Sequence, residues 1–312
     1  MSDKTGIEWT RSDDGTAGAT WNPVTGCEKV SPGCDHCYAE TFAERWRGTP
    51  GHYFERGFDV TLRPDKLDQP LRWKRPRRIF VNSMSDLFHK DVPDAYIACV
   101  FTVMAKAQQH TFQVLTKRHA RMRSLLADDE FQVMCLAAAL ARGWDLEGAP
   151  WPLPNVHLGV SVEDQRWADI RIPALCQTPA AVRFLSCEPL LGPVTIPFDE
   201  EVGRCTCGAG PNGYYGMHER GCGTQPGIAW NNIHWVIAGG ESGPGARRMD
   251  AEWARGLVRQ CREWNVPVFV KQLGSVLGRE LGAGPKGGDW DAWPEDLRVR
   301  EFPRAAEAVT AS

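Results

Sequence analysis

Cys27, Cys34 and Cys37 lie in the run Thr25-Gly26-Cys27-Glu28-Lys29-Val30-Ser31-Pro32-Gly33-Cys34-Asp35-His36-Cys37, with C-x6-C-x2-C spacing and a glycine before each of the first two thiols. Three thiolates converging from one tight loop can hold a soft metal centre. A structural zinc site normally closes with four ligands, whereas a [4Fe–4S] cluster held by three cysteines leaves one iron open to a small molecule. His36, adjacent to Cys37, keeps a Cys3His zinc site as the alternative.

A second ligand set, Cys205, Cys207, His218 and Cys222, has the pattern C-x-C-x10-H-x3-C inside a Gly-rich stretch over 197–232. Four soft ligands in a segment too polar to fold alone read as a structural zinc staple. An auxiliary iron–sulfur cluster and cysteines without metal are the other readings. Cys99, Cys135, Cys176 and Cys261 fall on apolar helical faces and read as buried thiols. Cys187 falls at a strand end, where it reads as a hydrogen donor, a substrate contact or a packed thiol.

Short β-branched apolar runs alternating with helical stretches must position these ligands. Strands are expected at 78–82, 112–116, 156–161, 182–186, 235–238 and 268–271, with helices over 37–47, 94–108, 118–142, 164–176 and 250–264. Such alternation implies parallel pairing through right-handed crossovers. The expected fold is α/β: a partial or complete TIM-type (β/α) barrel over 1–274, with 197–232 as a small Cys/His-rich insert and 275–312 as an irregular extension. A doubly wound open sheet is the runner-up.

In a barrel of this type the site forms where strands end. Polar residues recur at those ends: Asn82-Ser83-Met84-Ser85-Asp86, Thr116-Lys117-Arg118, Ser161-Val162-Glu163-Asp164, Ser186-Cys187-Glu188, Gly239-Gly240-Glu241-Ser242-Gly243 and Lys271-Gln272. Helix caps account for any one of these loops. Glu163, Glu188, Glu241 and Lys271 around one rim point beyond capping to a polar ligand, with Cys187, Glu241 and Lys271 as candidates to meet substrate. The paired glycines before Glu241 either let a ligand approach the backbone or only form the turn.

Composition sets the outer limits. The 312 residues are 42% hydrophobic and 24% charged, with a formal net charge of −3 and eleven cysteines. No global positive field argues for nucleic acid, no apolar run reaches membrane-span length, and no signal-peptide pattern opens the chain. The expectation is a cytoplasmic protein whose cysteines serve as ligands and buried thiols, not disulfides. The basic run Arg72-Trp-Lys-Arg-Pro-Arg-Arg78 precedes a strand and reads as a solvated face at the barrel bottom.

With the cysteine loop leading a βα series, the chain resembles the radical S-adenosylmethionine (SAM) superfamily. The usual spacing there is C-x3-C-x2-C, so the first gap departs from it, while His36 fills the aromatic position before the third cysteine. More closely, Ile7-Glu8-Trp9-Thr10, Thr20-Trp21-Asn22-Pro23-Val24-Thr25-Gly26-Cys27, Cys37-Tyr38-Ala39-Glu40, Asn82-Ser83-Met84-Ser85-Asp86-Leu87-Phe88, Ala238-Gly239-Gly240-Glu241-Ser242-Gly243 and Val270-Lys271-Gln272-Leu273-Gly274 are similar to the phage- and prophage-associated gene product 37 / gene product 68 family. The resemblance implies that Cys27, Cys34 and Cys37 ligate a [4Fe–4S] cluster whose fourth iron binds SAM. Reductive cleavage of SAM would give methionine and a 5′-deoxyadenosyl radical that abstracts hydrogen from a substrate. It further implies Ser83, Ser85 and Asp86 near the SAM amino group, Ser161 and Glu163 near ribose or carboxylate, and His36 near the cofactor. Glu241 and Lys271 would meet the substrate, and a flavodoxin or ferredoxin would donate the electron. A nucleotide or nucleic acid is an allowed substrate. The competing class is a zinc-binding structural or interaction protein without radical chemistry.

Overall fold

The computed structural model describes residues 5–12, 15–198 and 233–303. In chain order these form β1 (Ala19–Trp21), β2 (Val24–Thr25), α1 (Tyr38–Glu44), β3 (Thr61–Leu62), β4 (Arg78–Val81), α2 (Asp94–Lys106), β5 (Thr111–Thr116), α3 (His119–Leu126), α4 (Asp129–Leu140), β6 (Val156–Ser161), α5 (Gln165–Cys176), β7 (Val182–Cys187), β8 (Trp235–Gly239), α6 (Ala251–Glu263), β9 (Val268–Gln272) and α7 (Ser275–Glu280). Seven strands make one sheet in the order β1-β4-β5-β6-β7-β8-β9, and every neighbouring pair in it is parallel. Among the described residues β1 and β9 do not pair, so the sheet is an open half-barrel and not a closed TIM barrel. β2 and β3 form a separate antiparallel pair.

Period-two patterning sorts the strand side chains into two layers. Leu185, Cys187, Val236, Ala238, Val268 and Val270 face the helices and share one core with them. Phe184, Trp235, Ile237 and Phe269 face the hollow side, where Trp9 joins them from the turn Glu8–Thr10. Trp9 packs edge-on to Phe80 with ring centroids 4.7 Å apart. Gly159 is required in β6, because a Cβ there would stand 2.4 Å from the Phe184 ring.

Several elements differ from those expected of the sequence. The helix expected over 118–142 is two helices, because Asp128 accepts from the Glu130 backbone N–H and caps a new start. The helix expected over 37–47 stops at Glu44, where Arg47 turns back onto Glu44 and Asp59. The extension from 275 is not wholly irregular. It holds α7 and two 3-10 turns. It then runs beside β9, with Val270 N–H donating to Val299 O and Glu301 N–H to Val268 O, both at 2.9 Å. The segment 199–232, with Cys205, Cys207, His218 and Cys222, lies outside the described residues. Arg78 lies at the start of β4, at the end of the sheet opposite the strand C-termini, as expected. No helix among the described residues is long and apolar enough to cross a membrane.

His157 sits on the hollow side of β6, where burial, with Arg78 and His234 adding to it, lowers its pKa from 6.5 to about 4. The unfolded chain therefore binds the extra proton between these values, and stability is lost as pH falls through that window. Denaturant melts should show a decline of ~3 kcal/mol from this group between pH 7 and 4. His157→Asn should flatten that part of the profile.

Candidate active site at the mouth of the half-barrel

The strand C-termini open into a cavity of about 1110 Å³, lined by all three loop thiols together with Ser161, Glu241 and Lys271. The cysteine loop leaves β1 and β2 and folds over this mouth. Both of its glycines are dictated by space. Gly26 has φ +86, and a Cβ there would lie 2.3 Å from Asp59 O. A Cβ at Gly33 would meet Glu163 Oε1 at 2.5 Å. Thus each glycine before a thiol lets the loop settle against the body of the protein.

Two carboxylates hold the loop from opposite sides. Glu163 is fully buried and accepts from Arg171 Nη1 at 2.8 Å and from Ser31 Oγ at 2.6 Å. Lys117 Nζ is 3.4 Å away. Arg171, equally buried, also donates to Ser161 O at 2.8 Å. Glu163 does not line the cavity, so its carboxylate braces Ser31 and Gly33 and does not reach toward a bound ribose. Glu241 accepts from the Arg247 backbone N–H, Nε and Nη2 at 2.8, 2.9 and 2.6 Å. His36 Nδ1 lies 3.0 Å from the same carboxylate. Arg247 continues to Asp35 Oδ2 and Pro32 O. Burial alone would raise the Glu241 carboxyl, but the Arg247 and His36 hydrogen bonds outweigh it and hold the pKa at about 2. Glu241 therefore lines the cavity as an already paired group, and its visible work is to clamp residues 32–36. Glu241→Gln should leave the fold intact and speed hydrogen exchange of the 33–37 amides about tenfold, the loss expected of a charged hydrogen-bond network. Unchanged exchange would refute the clamp.

The remaining strand-end residues divide in the same way. Asp86 accepts from Thr116 Oγ1 at 2.7 Å and from the Phe88 and Lys117 backbone N–H groups at 3.0 Å, tying the end of β4 to that of β5. Ser85 Oγ donates to Val24 O at 2.8 Å, and Ser83 Oγ lies 3.3 Å from Asn22. Ser83, Ser85 and Asp86 all line the cavity. Lys271 pairs with Glu188 at 2.9 Å inside the mouth. Gly239 makes room for this pair, since its Cβ would touch Glu188 Oε1 at 2.7 Å. Gly240 is needed for chain packing, because its Cβ would lie 2.5 Å from Leu273 O.

Cys187 requires a correction. It belongs to the helix-facing layer of β7 and is wholly buried beside Cys261 in the same core. Burial pushes its thiol well above the ordinary range. It does not line the cavity, so from this position it is a packed thiol and no hydrogen donor.

Burial also raises the pKa of two loop thiols, Cys37 in direction and Cys27 to about 11, with Asp86 adding to the effect at Cys27. Arg118 Nη2 opposes it from 4.0 Å and also donates to Glu28 O. Ligand formation by these thiols must therefore release protons. A mononuclear zinc site brings sulfurs to about 3.8 Å of one another at Zn–S distances near 2.3 Å. The three loop sulfurs do not all lie within 4.8 Å of each other; among the described residues only Glu28, His89 and Asp91 form such a group. There, Lys90 Nζ already sits 2.9 Å from Glu28 and 3.4 Å from Asp91.

Sequence reasoning missed Arg171 and Arg247, and placed Asn82 at a strand end without a role of its own. Asn82 carries a non-glycine φ of +60 at the end of β4, and neither atom of its buried amide has a hydrogen-bond partner. Leaving such a group unpaired costs about 1–3 kcal/mol. Arg171 sits inside an apolar helical pattern, where no local signal separates a brace from a surface cation.

A family model described as protein of unknown function (DUF5131) matches residues 4–295. No curated protein and no solved structure matches the chain.

Proposed function

The chain belongs to the DUF5131 family, and we propose that it is a radical SAM-type iron–sulfur enzyme whose active site is the mouth of the half-barrel. One observation carries this reading: three cysteines from the loop after β2 line the cavity at the C-terminal end of an open parallel sheet. The donor set fits a cluster with one open iron, because three cysteines fall one short of the four ligands a structural zinc site takes, and both Glu163 and Glu241 brace the loop that carries them. Cys27, Cys34 and Cys37 would hold a [4Fe–4S] cluster, with SAM as the ligand of the open iron. When bound, the cluster supplies an electron for reductive cleavage of SAM, giving methionine and a 5′-deoxyadenosyl radical that removes a hydrogen atom from the substrate.

The chain's own residues do the rest. Arg118, beside Cys27, offsets negative charge on the thiolates. Ser83, Ser161 and Ser186 present hydroxyls at the cavity wall. The Lys271–Glu188 pair places a charged donor and acceptor in the mouth and is the best-placed site to orient a polar substrate. Anaerobic reconstitution with iron and sulfide tests the reading. It predicts the absorbance of a [4Fe–4S] centre, an EPR signal on reduction, and 5′-deoxyadenosine released from SAM with dithionite. Stoichiometric zinc on the three thiols, with no cluster under any condition, would overturn it.

A further inference from the structure

Many buried side-chain polar atoms among the described residues lack a partner, but of the residues carrying them only Asn82 lines the cavity. Asn82 is 3% exposed, and both its amide oxygen and its amide nitrogen are unpaired. A buried amide with both ends open calls for a partner from outside the chain, a ligand or an ordered water. Its backbone is held in place from both sides: Asn82 N–H donates to Trp21 O at 2.7 Å, and Ser85 N–H donates to Asn82 O at 3.2 Å. The left-handed φ of +60 therefore persists although a glycine would adopt it more readily.

The surroundings define what would satisfy that amide. Trp9, Phe80 and Leu115 line the same cavity, with the Trp9 and Phe80 rings 4.7 Å apart. The two rings meet edge to face and Trp9 is itself buried, so Phe80 and Leu115 offer an apolar wall for the side of a flat ring. An asparagine amide offers one donor and one acceptor side by side, the complement of a ring edge carrying an adjacent acceptor and donor. We infer that the cavity binds a nucleobase, packed against the apolar wall of Phe80 and Leu115 and read on its edge by Asn82. This names the substrate class for the function proposed above and rests on that reading only for the word substrate, since base binding itself needs no radical step.

Two sources could present such a ring, a substrate nucleoside or the adenine of SAM, and a binding panel separates them. The full chain, both as purified and after reconstitution with iron and sulfide, is titrated calorimetrically with adenosine, cytidine, guanosine, uridine, purine riboside and SAM. At least one free nucleoside should bind, and Asn82→Gly should weaken it about tenfold or more, the scale of one lost bidentate edge contact. Asn82→Gly suits the left-handed backbone, so its melting temperature should hold or rise while binding falls. Asn82→Asp, which only accepts, should shift preference toward guanosine, whose edge offers two donors. Binding by SAM alone would assign the amide to the cofactor and overturn the inference. So would nucleoside affinity unchanged in Asn82→Gly, or no nucleoside binding at millimolar concentration. Cluster assembly and 5′-deoxyadenosine release are read separately, so failure here leaves the proposed chemistry independently decided.

Discussion

Cys34→Ala should abolish both cluster assembly and SAM cleavage. Reconstituted protein should lose the iron and sulfide held by the wild type, and 5′-deoxyadenosine formation should fall on the order of 10³-fold or more, as expected when a group the reaction cannot do without is removed. Cys34 sits beside the Glu163 brace, since Gly33 rests on that carboxylate and Ser31 Oγ lies 3.9 Å from Cys34 Sγ. Its removal leaves Glu163, Ser31 and Arg171 paired, so far-UV circular dichroism and the denaturation midpoint of the metal-free chain should change little. A Cys34→Ala protein that still cleaves SAM at wild-type rate would refute the proposed ligand set. Cys187→Ala serves as the contrast. It lies in the core behind β7, so it should cost stability and leave cluster content unchanged.

The second large effect concerns the fold. Glu163→Ala leaves the Arg171 guanidinium buried without its carboxylate. Burial already lowers the Arg171 pKa, and Glu163 is the foremost of the groups that oppose this, with Cys34 and Asp86 adding to it. Nε and Nη2 of Arg171 have no hydrogen-bond partner even in the intact pair, although the guanidinium does stack over the Trp167 ring at 4.0 Å. Breaking such a buried pair from one side costs about 3–5 kcal/mol, which urea or guanidinium denaturation reads directly. Replacing both partners, as in Glu163→Leu with Arg171→Met, removes the stranded charge and should recover most of the loss. The double variant should still fail to order the cysteine loop, because Ser31 Oγ has lost its acceptor 132 residues away in the chain. Single and double variants of equal stability would show that the pair carries no special weight.

Much of the half-barrel could be read from residues alone. The alternating runs at 112–116 and 156–161 announced β5 and β6 because both faces of such strands are buried, one by helices and one by the aromatic interior. The break between α3 and α4 was harder to see, since apolar residues continue on both sides of Asp128 and only the cap marks a new start. Openness of the barrel was not legible either. It depends on whether β1 meets β9, and here Trp9 and the 299–302 segment occupy the region beside β9.

For the site, the chain alone specified ligand chemistry: three thiols, their spacing, glycines before two of them, and polar residues at nearly every expected strand end. Those are local properties, carried by side-chain type and period. Which of the polar residues remain available to a ligand is a long-range property. Glu163 and Glu241 have the composition of ligand-binding carboxylates, yet Arg171, Ser31, Arg247 and His36 converge on them in three dimensions and turn them into braces for the cysteine loop. Asn82 reads as an ordinary strand-end turn residue, yet folding buries its amide beside the cavity and gives it no partner. A carboxylate or an amide becomes a brace or an open contact according to the groups that arrive within about 3 Å of it, and only packing sets those distances.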